Sequence, residues 1–115
     1  MEISLFLEFS ERRQLRQWLE LNHDVEKECW VAVYRSKIPP ACNCLPYTEV
    51  VEEALCFGWI DSTLKRLDDG RLAQRLSPRC KNSHWTELNI MRCRMLSERG
   101  LMTEAGLAVM PKNNE

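Results

Sequence analysis

The stretch Ile60-Asp61-Ser62-Thr63-Leu64-Lys65-Arg66-Leu67-Asp68-Asp69-Gly70-Arg71-Leu72-Ala73-Gln74-Arg75-Leu76-Ser77 decides the fold class. Asp69-Gly70 supplies the positive-φ geometry of a tight turn, and the β-forming runs on either side make it a hairpin signal. With Asp69 and Gly70 as a two-residue loop, Leu67 meets Leu72 and Thr63 meets Leu76 on a core face. The same register sets Asp61 against Pro78 and, on the second side, Leu64 against Arg75, Ser62 against Ser77 and Ile60 against Arg79. Arg66 joins that second side, which becomes a polar, basic face. A slip of one residue would exchange the two faces.

Working outward, Ile3, Leu5, Leu7 and Phe9 alternate as a short strand does, and Ser10 offers an N-cap for a helix reaching about Asn22. Leu15, Trp18, Leu19 and Asn22 share one face of that helix, so Trp18 is assigned to the core. Cys29 to Arg35 is β-branched and aromatic and reads as a strand, closed by a loop holding Pro39, Pro40 and Pro46. Thr48 is placed to cap a second helix whose Val51, Ala54, Leu55 and Gly58 line up inward, with Gly58 as its stop. Ser83 is placed to cap a third helix of about fifteen residues, with Trp85, Leu88, Met91, Met95 and Leu96 on its apolar side and Gly100 ending it. Thr103 caps a short last helix ending near Pro111. These elements predict an α+β fold, a small antiparallel sheet including the 60–77 hairpin packed with three to four helices. A single domain is expected over residues 1–111, with 112–115 a loose polar tail.

The chain has 115 residues, 44% hydrophobic and 29% charged, which suits one globular core. No run is long and apolar enough for a membrane span, and Ile3 to Phe9 lacks the features of a secretory signal. A cytoplasmic location is therefore expected, and with it six reduced cysteines rather than a disulfide framework. Cys29, Cys56 and Cys93 fall where a thiol packs as a small apolar group. The net charge of −1 conceals an asymmetry: residues 1–61 carry eleven acids and six bases, residues 62–99 four acids and nine bases. Such a split marks either an anion-binding face or two solvated surfaces that attract one another.

By the hairpin register, Asp61, Arg79, Ser83, Trp85 and Asn89 converge on a polar cluster at a helix start, where free backbone N–H groups favour anions. Arg66, Arg75, Arg79 and Lys81 would grip a phosphate-bearing ligand, and Trp59 or Trp85 would supply a stacking plane. That arrangement suits an anionic small molecule, a nucleotide or single-stranded nucleic acid. The competing architectural reading has Asp61 and Arg79 locking the turn as an ion pair while Ser83 merely caps its helix. Catalysis, with Asp61 or His84 as base and Arg79 with Asn89 stabilising an oxyanion, has less support, because no phosphate loop, nucleophile elbow or close acid pair is present. Cys42-Asn43-Cys44 with Cys80 and His84 is poorly spaced for zinc, so no metal or cofactor is assigned. A protein partner is the remaining alternative.

The run Tyr47-Thr48-Glu49 leading into Ala54-Leu55-Cys56-Phe57-Gly58-Trp59-Ile60-Asp61 resembles the signature of the bacterial YdeI/OmpD-associated family, also called bacteriocin-protection proteins. Similar elements follow the same order elsewhere: Trp18-Leu19 with Asn22-His23, Leu67-Asp68, Gln74-Arg75, Ser77-Pro78-Arg79, Ser83-His84-Trp85, Asn89, and Gly100 with Met102, Ala105 and Gly106. The resemblance implies a scaffold and a context of bacteriocin protection and stress response, but no reaction or ligand. Leu76 departs from the family's usual phenylalanine and Ser62 from its common glycine. The chain also stops soon after Met110, where many relatives continue with a helical extension, whose contribution is expected to be missing.

Overall fold

The computed structural model describes residues 5–35, 44–67, 71–79 and 85–110. Along them run β1 (Phe6–Leu7), α1 (Arg12–Asn22), β2 (Cys29–Tyr34), β3 (Leu45–Pro46), α2 (Tyr47–Cys56), β4 (Trp59–Arg66), β5 (Leu72–Pro78), α3 (Glu87–Glu98) and α4 (Glu104–Val109). The strands form one sheet in the order β1-β2-β5-β4, with β3 added to β2. The α+β expectation, with its hairpin and four helices, holds. The long pairings β2–β5 and β5–β4 are antiparallel, and the two-residue strands β1 and β3 lie parallel to β2.

Cys29-Trp30-Val31-Ala32-Val33 is an unbroken apolar run and is buried at every position, as a central strand covered on both faces should be. Cys29, Val31 and Val33 meet the helices, where Leu15 and Leu19 of α1, Val50, Val51, Ala54 and Leu55 of α2, and Cys93 and Leu96 of α3 complete the core. Trp30 and Ala32 point to the other side of the sheet.

Helix starts differ from the simplest reading of the capping residues. Glu11 rather than Ser10 caps α1, because the Gln14 side chain reaches back to accept the backbone N–H groups of both Ser10 and Glu11, at 2.9 and 3.0 Å. Pro46 rather than Thr48 precedes α2, its fixed φ and missing N–H suiting a helix entry. Thr86 caps α3, its hydroxyl accepting the Asn89 N–H at 3.1 Å. Ser83, the cap expected from sequence, lies outside the described residues. Thr103 does cap α4, and Gly58 and Gly100 follow α2 and α3 at φ +78 and +73, conformations that L side chains resist.

Two corrections matter for the site. The hairpin closes with the Leu67 N–H donating to the Arg71 carbonyl at 2.8 Å, so its register is offset by one from that of a two-residue loop; Asp69 and Gly70 themselves lie outside the described residues. A bulge between Asp61 and Leu64 adds a further shift, leaving Asp61 opposite Leu76, Leu64 opposite Gln74 and Arg66 opposite Leu72. Bulges re-aim one strand relative to its partner, and here Arg66 moves to the helix side of the sheet while Lys65, opposite Ala73, stays on the side of Arg75. The second correction is the rotation of α3. Leu88 and Met91 are 56% and 63% exposed, whereas Cys93 and Leu96 are fully buried. The helix turns its cysteine inward as an apolar residue, and this carries Asn89 and Arg92, on the same face at helical spacing, toward the body of the protein.

Candidate functional site

The turn after Gly58 and the segment beyond Ser77 do meet. Trp59 pairs with Pro78, and the Arg79 N–H donates to the Gly58 carbonyl at 2.9 Å. The Arg79 guanidinium then stacks on the Trp85 ring, 3.7 Å from its centroid, a close cation–π contact. Burial lowers the guanidinium pKa, and the nearby Cys93 and Asp61 oppose that shift.

Among the described residues, the rest of the anticipated basic grip is not brought together. Trp59 is 1% exposed, set edge-on to Trp18 at 6.0 Å, with its indole N–H donating to the His23 carbonyl at 3.2 Å. It is a wall of the core and presents no stacking plane. Arg75 is held by Glu28 at 2.5 Å and donates to the Ser62 hydroxyl at 3.1 Å. Arg71, on the same side of the sheet, pairs with Glu8 at 2.9 Å. Glu8, just after β1, and Glu28, just before β2, therefore pair with two of the arginines that the hairpin alone presents as a basic face. Arg66 is on the opposite side of the sheet from Arg75, and Lys81 and Ser83 lie outside the described residues.

A different set of cations converges at the start of α2. Tyr34 and Arg35 from the end of β2, Pro46 from β3, Tyr47 and Thr48 from the first turn of α2, and Arg92 from α3 line a cleft of about 400 Å³. The Arg35 guanidinium lies over the Tyr47 ring at 4.4 Å. The Tyr47 hydroxyl donates to Asp61 Oδ2 at 2.9 Å, and the Arg92 guanidinium donates to the Asn89 side-chain oxygen at 3.0 Å. Burial first, then the Asp61 carboxylate, raises the Tyr47 pKa, so the phenol stays protonated and keeps donating. Of the predicted residues, Asp61 and Asn89 thus support the cleft from behind, through Tyr47 and Arg92.

Pro46 gives the α2 N-terminus no side-chain cap, and this end of the helix opens beside the cleft with its N–H groups and positive dipole end. Two clefts of similar size differ in charge. One combines Asp24, Glu26 and Lys27 with Arg79, and the other is lined by Glu20, His23 and Glu104. Only the Arg35/Arg92 cleft, among these three, has cations and no carboxylate in its lining.

Residues 7–109 match the profile of DUF8412, a domain of unknown function. The chain belongs to the DUF8412 family. No curated protein and no solved structure gives a significant match to it. For this DUF8412 domain, no helix among the described residues is long and apolar enough to cross a membrane. Nor do three or more His, Cys, Asp or Glu side chains among the described residues gather where a metal ion could sit. Cys29, Cys56 and Cys93 are buried free thiols, while Cys42, Cys80 and His84 of the weighed zinc reading lie outside the described residues.

Arg35 and Arg92 were not singled out by sequence reasoning. They stand 57 positions apart, on a strand end and a helix, and only the rotation of α3 toward Cys93 brings them to one cleft. Tyr47-Thr48 was visible as part of a family-like run, without a sign that it lines a cavity.

Proposed function

We propose that this DUF8412 domain is a non-catalytic binding module for a small anionic ligand, phosphate-bearing or nucleotide-like, held between Arg35 and Arg92. The observation that carries the reading is the placement of these two guanidiniums. Neither forms an ion pair with a carboxylate among the described residues, yet both line a concave site at a helix N-terminus whose N-cap residue, Pro46, supplies no side-chain cap. Guanidiniums and helix-end N–H groups are the donors that planar and tetrahedral oxyanions use. The Thr48 hydroxyl and the Tyr34 ring, both in the lining, add a polar contact and a flat surface for the non-phosphate part of such a ligand. The resemblance to bacteriocin-protection proteins is compatible with this role, since Tyr47 and Asp61, which bound the run carrying it, are bonded to one another behind the cleft.

Calorimetric titration of the full chain with inorganic phosphate, AMP and a short single-stranded oligonucleotide at low salt tests the proposal. Binding of at least one of the first two is expected, weakened about tenfold or more by Arg35→Ala combined with Arg92→Ala, in line with the loss of two charge-assisted contacts. Absence of binding by the parent chain, or equal binding by the double variant with an unchanged circular-dichroism spectrum, would overturn it. Tight binding of the oligonucleotide alone would redirect the reading to nucleic acid.

A further inference from the structure

We infer that Asp61 is a positioning residue of the cleft, holding Tyr47 as a fixed plate on which Arg35 is aimed at the ligand; the inference rests on the anion-binding reading above. Arg35 is exposed and follows the last residue of β2, a position at which a long guanidinium chain samples many rotamers and loses that freedom on binding. The Tyr47 ring lies under it at 4.4 Å and supplies the attraction that restricts it. The ring is fixed in turn, because Tyr47 is half-buried against the core and its hydroxyl is tied to Asp61 at 2.9 Å. Asp61 itself sits on the ordered pairing of β4 with β5, just before the bulge. The relay therefore runs from the sheet through a carboxylate and a phenol to a guanidinium, and its effect is preorganisation of the cation before the ligand arrives.

The relay also explains why an acid is tolerated behind an anion site. Asp61 does not line the cleft; the phenol stands between the carboxylate and the ligand, and Arg79 is close enough for Asp61 to raise its pKa. What the relay requires of position 61 is an acceptor oxygen rather than a negative charge. Asparagine retains such an oxygen and alanine does not.

Two measurements separate the inference from the reading beneath it. The first needs no ligand: the Arg35 Nε–H resonance of the free protein is expected to be ordered on the fast timescale and shifted by the Tyr47 ring. Both signatures should be lost in Tyr47→Leu and Asp61→Ala and retained in Asp61→Asn. A mobile, unshifted Arg35 Nε–H in the parent chain overturns the inference even if phosphate binds. The second is titration with inorganic phosphate. Asp61→Ala is expected to weaken binding about fivefold and Asp61→Asn less than about twofold. In an Arg35→Ala background the Asp61→Ala change should have no further effect. Losses that multiply across the two sites would overturn the relay while leaving the binding site in place, whereas an ordered Arg35 in a chain that binds no anion would remove the function and with it the aim assigned to Arg35.

Discussion

Gly106 lies so close beneath the carbonyl of Cys56 that a Cβ built on it would stand 2.3 Å from that oxygen. The contact docks the start of α4 onto the end of α2. Thr103 secures it, its backbone N–H and its hydroxyl both donating to the Cys56 carbonyl, at 3.0 and 2.6 Å. Because the obstacle is backbone rather than a flexible side chain, Gly106→Ala has to push the two elements apart. The expected loss is about 3 kcal/mol, at or above the upper end of ordinary overpacking, read as a lower urea midpoint. Gly100→Ala has open space around its Cβ and is left with the strain of positive φ alone, about 1 kcal/mol. Similar losses at the two glycines would mean that α4 is not docked in this way.

Glu53 is 2% exposed and is bonded by Arg12 and by Arg16, the latter at 3.1 Å. Arg16 also donates to the Leu101 carbonyl at 2.8 Å, so this carboxylate ties α1 to α2 and to the segment entering α4. Removing it leaves Arg12 with Glu52, at 2.9 Å, and Arg16 with the Leu101 carbonyl, each arginine having about a quarter of its side chain exposed. Water can therefore relieve part of the cost. Glu53→Ala is expected to lose about 2 to 3 kcal/mol, at or below the low end of the cost of breaking a fully buried pair. Chemical denaturation at low and high salt checks this, and a loss that vanishes in about 1 M salt would identify a surface interaction instead.

Stability is expected to fall at alkaline pH for a reason located in the core. Burial pushes the Cys29 thiol from an ordinary 9.0 up to about 12, with Glu28 and Glu26 adding to the effect. Burial and then Glu53 push Cys56 to about 11. Both folded-state pKa values exceed those of the unfolded chain, so the full stability is present below pH 9. It declines above that as the unfolded thiols ionise first, and levels off only once the folded thiols also ionise, near pH 11 to 12. Each unit of difference corresponds to about 1.4 kcal/mol. The double variant Cys29→Ala/Cys56→Ala should be less stable at pH 7 and show a flatter decline between pH 9 and 11. An unchanged slope would assign the alkaline loss to other groups.

The sequence made the elements legible and left their mutual placement less so. Alternation and helical spacing found the faces of α1 and α2 and the buried strand β2, because those signals are local. The hairpin was recognised from Asp69-Gly70, but its register depended on a closing pair at Leu67 and Arg71 and on a bulge after Asp61, neither of which has a signature in composition. On α3, Leu88 and Met91 outweigh Cys93 in hydrophobicity, and only the packing of α3 on the core that includes Val51 and Leu55 of α2 decides that the thiol faces inward. The site followed from these two choices. The α3 rotation supplied Arg92, and the shifted register moved Arg66 away from Arg75.

The hairpin arginines provide the contrasting test of the cleft. Glu28 holds Arg75, and Arg66 points to the other side of the sheet, so the two do not act together on one ligand. Arg66→Ala with Arg75→Ala reduces the net charge by the same two units as Arg35→Ala with Arg92→Ala. A purely long-range electrostatic attraction would respond alike to both pairs and fade as salt rises. A site with direct contacts would not. Titration with inorganic phosphate at about 20 and 150 mM salt is expected to leave the hairpin double variant within about twofold of the parent at the higher salt, where the Debye length is about 8 Å. The cleft double variant should remain about tenfold weaker or worse under the same conditions. Equal losses in the two variants would mean that net charge, rather than the geometry around Arg35 and Arg92, governs anion binding.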